Sequence, residues 1–525
     1  MKFNNFRDDI FLYPFHIRRL LSLFFICLLF AASTIAAEDI QQAAEEESVR
    51  LTKQAEKISK KGDFAEAEKL FRRAIEVNPR ASAAKLKLAY LLFKQRRLIE
   101  AYDLSYAVAK AEPKNSYAFA VLGITLLNAG NFKDARTSIY NAINLNKKEA
   151  LAWAGLGMLD FYENRINQSL NSLYESVYYE PNEPDFIFTF AQVAARAEKY
   201  KEAAEAYRKF LSVSEDSDKE RRDRIKGLIG FLNYLGNKQS LYLLDGDEKS
   251  SVNFNLTRNR PVIELKVNNK DEPLKFVLDT GSGISVISDE TAERLKIKPV
   301  ARGGFARGIG GDGKFEIVYG FLRSVDIGAA RIKNVPVYIR KFHNDSEKVD
   351  GYIGLSLISK FLTTIDYGGL TFSLIRKNSI EKAKFAADEL SLPLRLTSSG
   401  FLSGEVQLEG VEVPLNFIVD TGASVSVISD DLAGSQEISN FAKGEKMRVI
   451  GAAGVTEDVP SFLLPRVTFG THSRESITAV ALDLDLINET SGFQQAGILG
   501  GNFLKNYSLT FDFQNSKVIF VPNKK

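Results

Sequence analysis

Phe276 to Ser288 reads FVLDTGSGISVIS, and Phe417 to Ser429 reads FIVDTGASVSVIS. In each stretch an apolar run ends in Asp-Thr-Gly, small residues follow, and a second β-branched run resumes. Asp279 and Asp420 therefore lie between two strongly apolar, strand-like segments. Burying a carboxylate there without partners costs about several kcal/mol or more, so something must hold it. The glycine after each threonine lets the backbone turn sharply and present amides to the carboxylate. The threonine hydroxyl can hydrogen-bond a neighbouring backbone or its counterpart in the other copy.

The duplication extends outward. Pro273 and Pro414 precede the two aspartates, and Gly310 and Gly451 follow them, all three pairs being separated by the same length of chain. Asp350 to Phe361 (DGYIGLSLISKF) then matches Ala496 to Tyr507 (AGILGGNFLKNY), and Thr364-Ile365-Asp366-Tyr367 matches Thr510-Phe511-Asp512-Phe513, at a slightly longer separation. The second copy thus carries an insertion of five residues after its glycine loop. This pattern resembles the aspartic peptidases, particularly the retropepsin-like group with its DTG-[SA] signature.

The resemblance implies two all-β lobes, each near the size of one retropepsin subunit, and a site in which Asp279 and Asp420 are the catalytic pair. Thr280, Gly281, Ser282, Thr421, Gly422 and Ala423 would form the supporting loops. Tyr352-Ile353-Gly354 and Ile498-Leu499-Gly500 would pack beneath them. The glycine-containing loops, with Gly308, Gly310, Gly311 and Gly451, stand where the family places its flaps over an extended substrate. Each glycine is equally well explained as a simple hairpin turn. Two carboxyls about 3 Å apart cannot both ionise, so the pair would share a proton, one member taking a proton from water and the other donating to the carbonyl oxygen. That chemistry needs no metal or cofactor. Ser282 could donate to Asp279 where Ala423 cannot donate to Asp420, which would leave the negative charge on Asp279.

The remaining composition narrows the alternatives. The only cysteine, Cys27, lies in an N-terminal apolar run, and beyond that run the only histidines are His343 and His472. Disulfides, cysteine catalysis and cysteine-rich zinc sites are excluded from the rest of the chain. A Ser-His-Asp triad is disfavoured, because neither histidine sits in a nucleophile-elbow motif, and both read as surface loop residues. The formal charge is only +3 and no basic run stands out, so composition gives no case for nucleic acid.

Arg18 and Arg19 precede LLSLFFICLLFAASTIAA, which ends before Glu38-Asp39. This is the layout of a secretory signal peptide with cleavage near Ala36 or Ala37. An uncleaved membrane anchor fits the same run, since cleavage after Ala37 would place Ile35 where a small residue is wanted. Either reading exports the rest of the chain, to a periplasmic or extracellular location.

Between about Glu46 and Ser214 the sequence repeats with a period of about 34 residues. Pro79, Pro113 and Pro181 fall in register, as do Ala67, Ala101, Ala135 and Ala203, and Leu122-Gly123 with Leu156-Gly157. The period and pattern resemble a tetratricopeptide-repeat array, implying five helical hairpins stacked into a solenoid and a capping helix over about Asp216 to Leu235. Such arrays bind protein segments, or serve as spacers or oligomerisation surfaces. Tyr140, Tyr174, Tyr178 and Tyr179 could line a binding face, though such residues are more often core.

The sequence therefore predicts a multidomain α + β chain: a signal segment (1–37), an all-α repeat domain (38–236), a linker (237–256), a first all-β peptidase lobe (257–378), a connector (379–398) and a second lobe (399–525). The function expected is an exported aspartic endopeptidase acting on a peptide or protein substrate, with the array recruiting a protein partner. An envelope scaffold whose lobes hold peptide without cutting it is the alternative. The lobes could close on each other within one chain or pair with a second molecule, and the first arrangement is favoured because a connector of about twenty residues keeps the second lobe at high effective concentration.

Overall fold

The computed structural model describes residues 41–216, 218–238, 240–343, 348–379 and 391–524. The apolar N-terminal run, and with it the signal or anchor reading, lies outside the described residues, as does most of the expected connector. The chain divides into two compact units, Met1–Glu112 and Pro113–Lys525.

The first unit contains helices 41–59, Phe64–Val77, Ser82–Lys94 and Leu98–Ala111. Asp63 caps the second of these by accepting the Glu66 amide, satisfying one of the donors a helix start leaves open. Ala55, Ala67 and Ala101 are fully buried around Phe71, Leu88 and Leu92.

The second unit opens with three more hairpins, Ser116–Asn128 with Phe132–Leu145, Ala150–Tyr162 with Ile166–Tyr179, and Pro184–Arg196 with Tyr200–Val213, then a closing helix Lys219–Gly236. The repeat positions act as expected. A Cβ on Gly123 would lie 2.7 Å from Ile139 Cγ1 and one on Gly157 2.5 Å from Leu173 Cγ, so only glycine allows these helix pairs to approach so closely. A further periodic feature is conformational. Gly62, Arg96, Gly130, Asn164 and Glu198, one repeat apart from each other, all adopt positive φ in the turn between the two helices of a hairpin. Tyr140, Tyr174 and Tyr178 are exposed rather than core, and Tyr179 is half-buried.

The rest of the second unit is β-structure. The first lobe's sheet runs Leu243–Gly246, Ala330–Arg340, Val286–Ser288, Gly351–Ile353, Leu274–Leu278, Arg260–Val267, Lys314–Ile327, Ala301–Arg307, with Asn255–Thr257 also on Arg260–Val267. The second lobe's runs Arg395–Leu396, Leu402–Leu408, Leu415–Val419, Gly497–Leu499, Ser426–Ser429, His472–Leu482, Val455–Phe469, Ala442–Ile450. The strands entering the two DTG loops each pair in parallel with their lobe's apolar-apolar-Gly strand, Phe276–Leu278 with Gly351–Ile353 and Phe417–Val419 with Gly497–Leu499.

A third sheet joins the lobes. Its order is Ser391–Pro393, Lys517–Pro522, Tyr507–Asp512, Phe361–Asp366, Thr371–Arg376, Lys249–Asn253. At its centre Thr364 pairs with Thr510 in antiparallel register, and their hydroxyls lie 2.9 Å apart. These two residues are equivalents in the duplicated sequence. Their meeting face to face marks a local two-fold axis between the lobes. The lobes thus pair within one chain, around a continuous core that includes Ile365, Phe372, Leu509 and Phe511.

The stretch 237–256, expected as a linker, instead holds strands Leu243–Gly246 and Lys249–Asn253 and the start of Asn255–Thr257. Its scattered Asn, Asp and Ser belong to edge strands with one wetted face, while Ser250 and Phe254 point inward and are buried. The second lobe begins the same way: Ser391–Pro393 pairs with the lobe's last strand as Lys249–Asn253 pairs with Thr371–Arg376.

Candidate active site

Each DTG loop is tied into its own lobe by its first residue. The Asp279 amide donates to Ile353 O and the Asp420 amide to Leu499 O, both at 3.0 Å. One residue on, the loops grip each other. Thr280 Oγ1 donates to Val419 O and Thr421 Oγ1 to Leu278 O, both at 2.7 Å. Each hydroxyl also accepts the other threonine's amide, at 3.0 and 3.1 Å. Both threonines are fully buried, so the four bonds form a closed ring with every member satisfied.

The glycines explain how the carboxylates fit. Gly281 N–H donates to Asp279 Oδ1 at 2.9 Å and Gly422 N–H to Asp420 Oδ1 at 2.7 Å. A Cβ on Gly281 would fall 2.4 Å from Asp420 Cγ, and one on Gly422 would fall 2.6 Å from Asp279 Oδ1. Each glycine thus makes room for the carboxylate of the opposite lobe. The same Gly422 position lies 3.1 Å from Asp420 Oδ1, so the two carboxyls converge on one point, where they share a proton rather than both ionise.

Burial, followed by the charge of Asp420, holds the Asp279 carboxyl well above the usual carboxylate range. Burial raises Asp420 as well, but the hydrogen bond from Asp279 and the amides of Gly422, Ala423 and Gly281 oppose it. Both carboxyls are raised by burial, so the pair holds one proton in common and titrates as a unit. The hydrogen bond expected from Ser282 to Asp279 is not made: the hydroxyl turns away and donates to Ile284 O at 2.7 Å, within its own turn.

The two glycine loops meet at their tips. Gly308–Gly313 closes the hairpin of Ala301–Arg307 and Lys314–Ile327, with the Gly308 amide bonded to Gly313 O at 3.0 Å. Gly451–Gly454 closes the hairpin of Ala442–Ile450 and Val455–Phe469, with the Gly451 amide on Gly454 O at 2.8 Å. The tips touch: Ala453 N–H donates to Ile309 O at 2.9 Å, and Cβ atoms on Gly310 or Gly451 would strike the opposite tip's backbone.

One residue of the site escaped sequence reading. Arg340 ends the strand Ala330–Arg340, interacts electrostatically with Asp279, and lies over Phe342, Phe315 and Tyr352 at 4.8, 5.5 and 5.8 Å. Its Nη1 donates to Ala452 O in the second loop at 3.0 Å. In the sequence it is merely a charge closing an apolar run.

Neither histidine belongs to this site. His343 is half-buried in an irregular segment after that strand. His472, expected on a surface loop, is buried at the start of its strand against Tyr507 and Phe520, and burial lowers its pKa. Among the described residues no cluster of three or more His, Cys, Asp or Glu could hold a metal ion.

The aspartyl protease family model matches residues 263–357 and 404–503, one segment around each aspartate, and a tetratricopeptide-repeat model matches residues 59–116. The chain carries a retropepsin-like aspartyl protease domain in two segments, preceded by tetratricopeptide repeats. Other similarities concern the repeats. Anaphase-promoting complex subunit 3 of Schizosaccharomyces pombe (strain 972 / ATCC 24843) is 25% identical over 155 residues, which is 30% of this chain and 23% of that protein. The chain thus spans about a quarter of the length of this curated relative. A thermophilic TPR protein of Thermus thermophilus is 19% identical over 35% of this chain and 98% of its own, with a TM-score of 0.31. The pilF protein of Pseudomonas aeruginosa is 15% identical over 37% and 88%, with a TM-score of 0.29.

Proposed function

We propose that this protein is an exported aspartic endopeptidase whose Asp279 and Asp420 form one water-activating site, with the repeat array recruiting a partner or substrate. The observation that carries the reading is the convergence of the two carboxyls on one point, each backed by its own glycine amide and held by the threonine ring. A structural duplication would not need two acids buried against each other, an arrangement that costs stability. In the reaction, the charged member of the pair takes a proton from a water placed between the carboxyls while its protonated partner donates to the scissile carbonyl oxygen. The hydroxide equivalent adds to the carbonyl carbon to give a gem-diol; the carboxyl that took the water proton passes it to the nitrogen, its partner takes back a hydroxyl proton, and the C–N bond breaks as the carbonyl of the new acid forms. The glycine-tipped hairpins cover an extended peptide, and backbone pairing along their edges supplies affinity with little demand on sequence.

Export rests on the N-terminal run, whose alternatives are a cleaved signal and a retained anchor. Among the described residues no helix is long and apolar enough to cross a membrane.

The test is to incubate the purified chain with a mixed peptide library between pH 3 and pH 8, with and without pepstatin. Internal cleavage products that pepstatin suppresses are expected. Absence of products at every pH contradicts the peptidase reading and leaves a peptide-holding scaffold.

A further inference from the structure

The two glycine-tipped hairpins are equivalent in sequence and unequal in surroundings. The outer strand of the first, Ala301–Arg307, lies against the closing helix Lys219–Gly236. A Cβ on Gly303 would fall 2.4 Å from Gly227 Cα, and one on Gly227 would fall 2.2 Å from Gly303 Cα, so the two backbones touch. Gly304, at φ +61°, packs on the Arg224 backbone in the same way. Around this contact Phe231 stacks on Tyr319 at 4.2 Å, and Leu235 and Ile317 complete a buried cluster. Glu220 pairs with Arg307 and Lys314, at 3.4 and 3.1 Å, on the two sides of the hairpin near its tip.

The second hairpin has none of this. Gly444 is the duplicate of Gly303, and a Cβ there would meet nothing within 4 Å. Its outer strand Ala442–Ile450 is exposed along most of its length. Met447 and Val449, half-buried, lean on its own lobe's cluster, and what ties this hairpin to the first lobe is at its tip: the bond from Ala453 N–H to Ile309 O and the bond from Arg340 to Ala452 O. Arg340 itself is held by the surrounding aromatic rings, so it can act as a fixed donor.

Given the peptidase reading, we propose that substrate is admitted by movement of the second hairpin alone, with the first bolted to the repeat array as a fixed wall and Arg340 serving as the positioning residue that latches the second hairpin shut. The helical array is then a structural part of the cleft. Physically, a hairpin held by two tip hydrogen bonds and two half-buried side chains opens at lower free energy than one whose backbone is packed along a helix.

Hydrogen–deuterium exchange on the full chain tests this without reference to activity. Amides of 442–450 should exchange at least about tenfold faster than those of 301–307. Arg340→Met, which keeps the aliphatic bulk, should speed exchange in 442–455 with no change in 301–307 and no change in melting temperature. Equal exchange in the two hairpins, faster exchange in the first, or an unchanged second hairpin in Arg340→Met would overturn the proposal. A second arm uses Gly230→Cys with Ala301→Cys in a Cys27→Ser background. A Cβ on Gly230 lies 3.7 Å from Ala301 Cβ, within disulfide range. Oxidation should leave peptide cleavage within about twofold of the reduced protein, and loss of cleavage that returns on reduction would show that the first hairpin must move. If no cleavage occurs at all, the peptidase reading fails, while the exchange comparison still decides the gate.

Discussion

At the scale of single residues, the site depends on two acids sharing one proton and on two threonines sharing four hydrogen bonds. Both aspartates have raised pKa values, so the stability they permit is fully present below the ordinary carboxylate pKa and is lost as pH rises through their folded values. Asp279→Asn keeps the shape and a donor toward Asp420 while removing the second ionisable group. It should therefore raise the melting temperature above that of the unaltered protein at pH 7 to 8, by a difference that disappears below about pH 4, as followed by calorimetry. Thr280→Ala leaves Val419 O and the Thr421 amide without their buried partner, and Thr421→Ala does the same to Leu278 O and the Thr280 amide. Each should cost about 1–3 kcal/mol in denaturant unfolding. The double variant should cost less than the sum, because the two share one ring. The aspartates and threonines were legible in the sequence because the motif occurs twice. The direction of the Ser282 hydroxyl was not, since a carbonyl two residues away competes for it.

Among elements, the same glycine serves opposite ends at equivalent positions. Gly303→Ala forces a methyl group into the Gly227 backbone and should destabilise the protein by about 1–3 kcal/mol or more, as overpacking does. Gly444→Ala meets only the cost of its left-handed conformation, φ +72°, of about 1 kcal/mol. Thermal unfolding of the two variants side by side checks the contrast. The hairpins themselves were readable from their glycines, and the repeat helices from their regular period. What the sequence hid was the company they keep. Lys219–Gly236 reads as an ordinary capping helix, and nothing local announces that Gly227 lies on a β-hairpin whose glycine is Gly303. The strands at 243–253 were likewise obscured, because an edge strand needs apolar residues on one face only and here uses few.

For the molecule as a whole, pairing within one chain means that specific activity should not fall on dilution, whereas a site shared between two chains would lose activity as the dimer dissociates. A chain beginning at Pro113 retains the second compact unit entire and should keep its circular dichroism and its site. One beginning at residue 240 lacks Phe231 and Leu235, leaves Ile317 and Tyr319 uncovered, and should aggregate in sedimentation experiments. The order of domains was legible because both halves are repetitive. The contacts among them were not, because they join segments that no periodicity relates. The most direct measurement is peptide cleavage by Asp279→Asn and Asp420→Asn, each tested alone against the unaltered chain. One shared site predicts that either substitution abolishes cleavage while circular dichroism is unchanged, and full activity in either variant would contradict it.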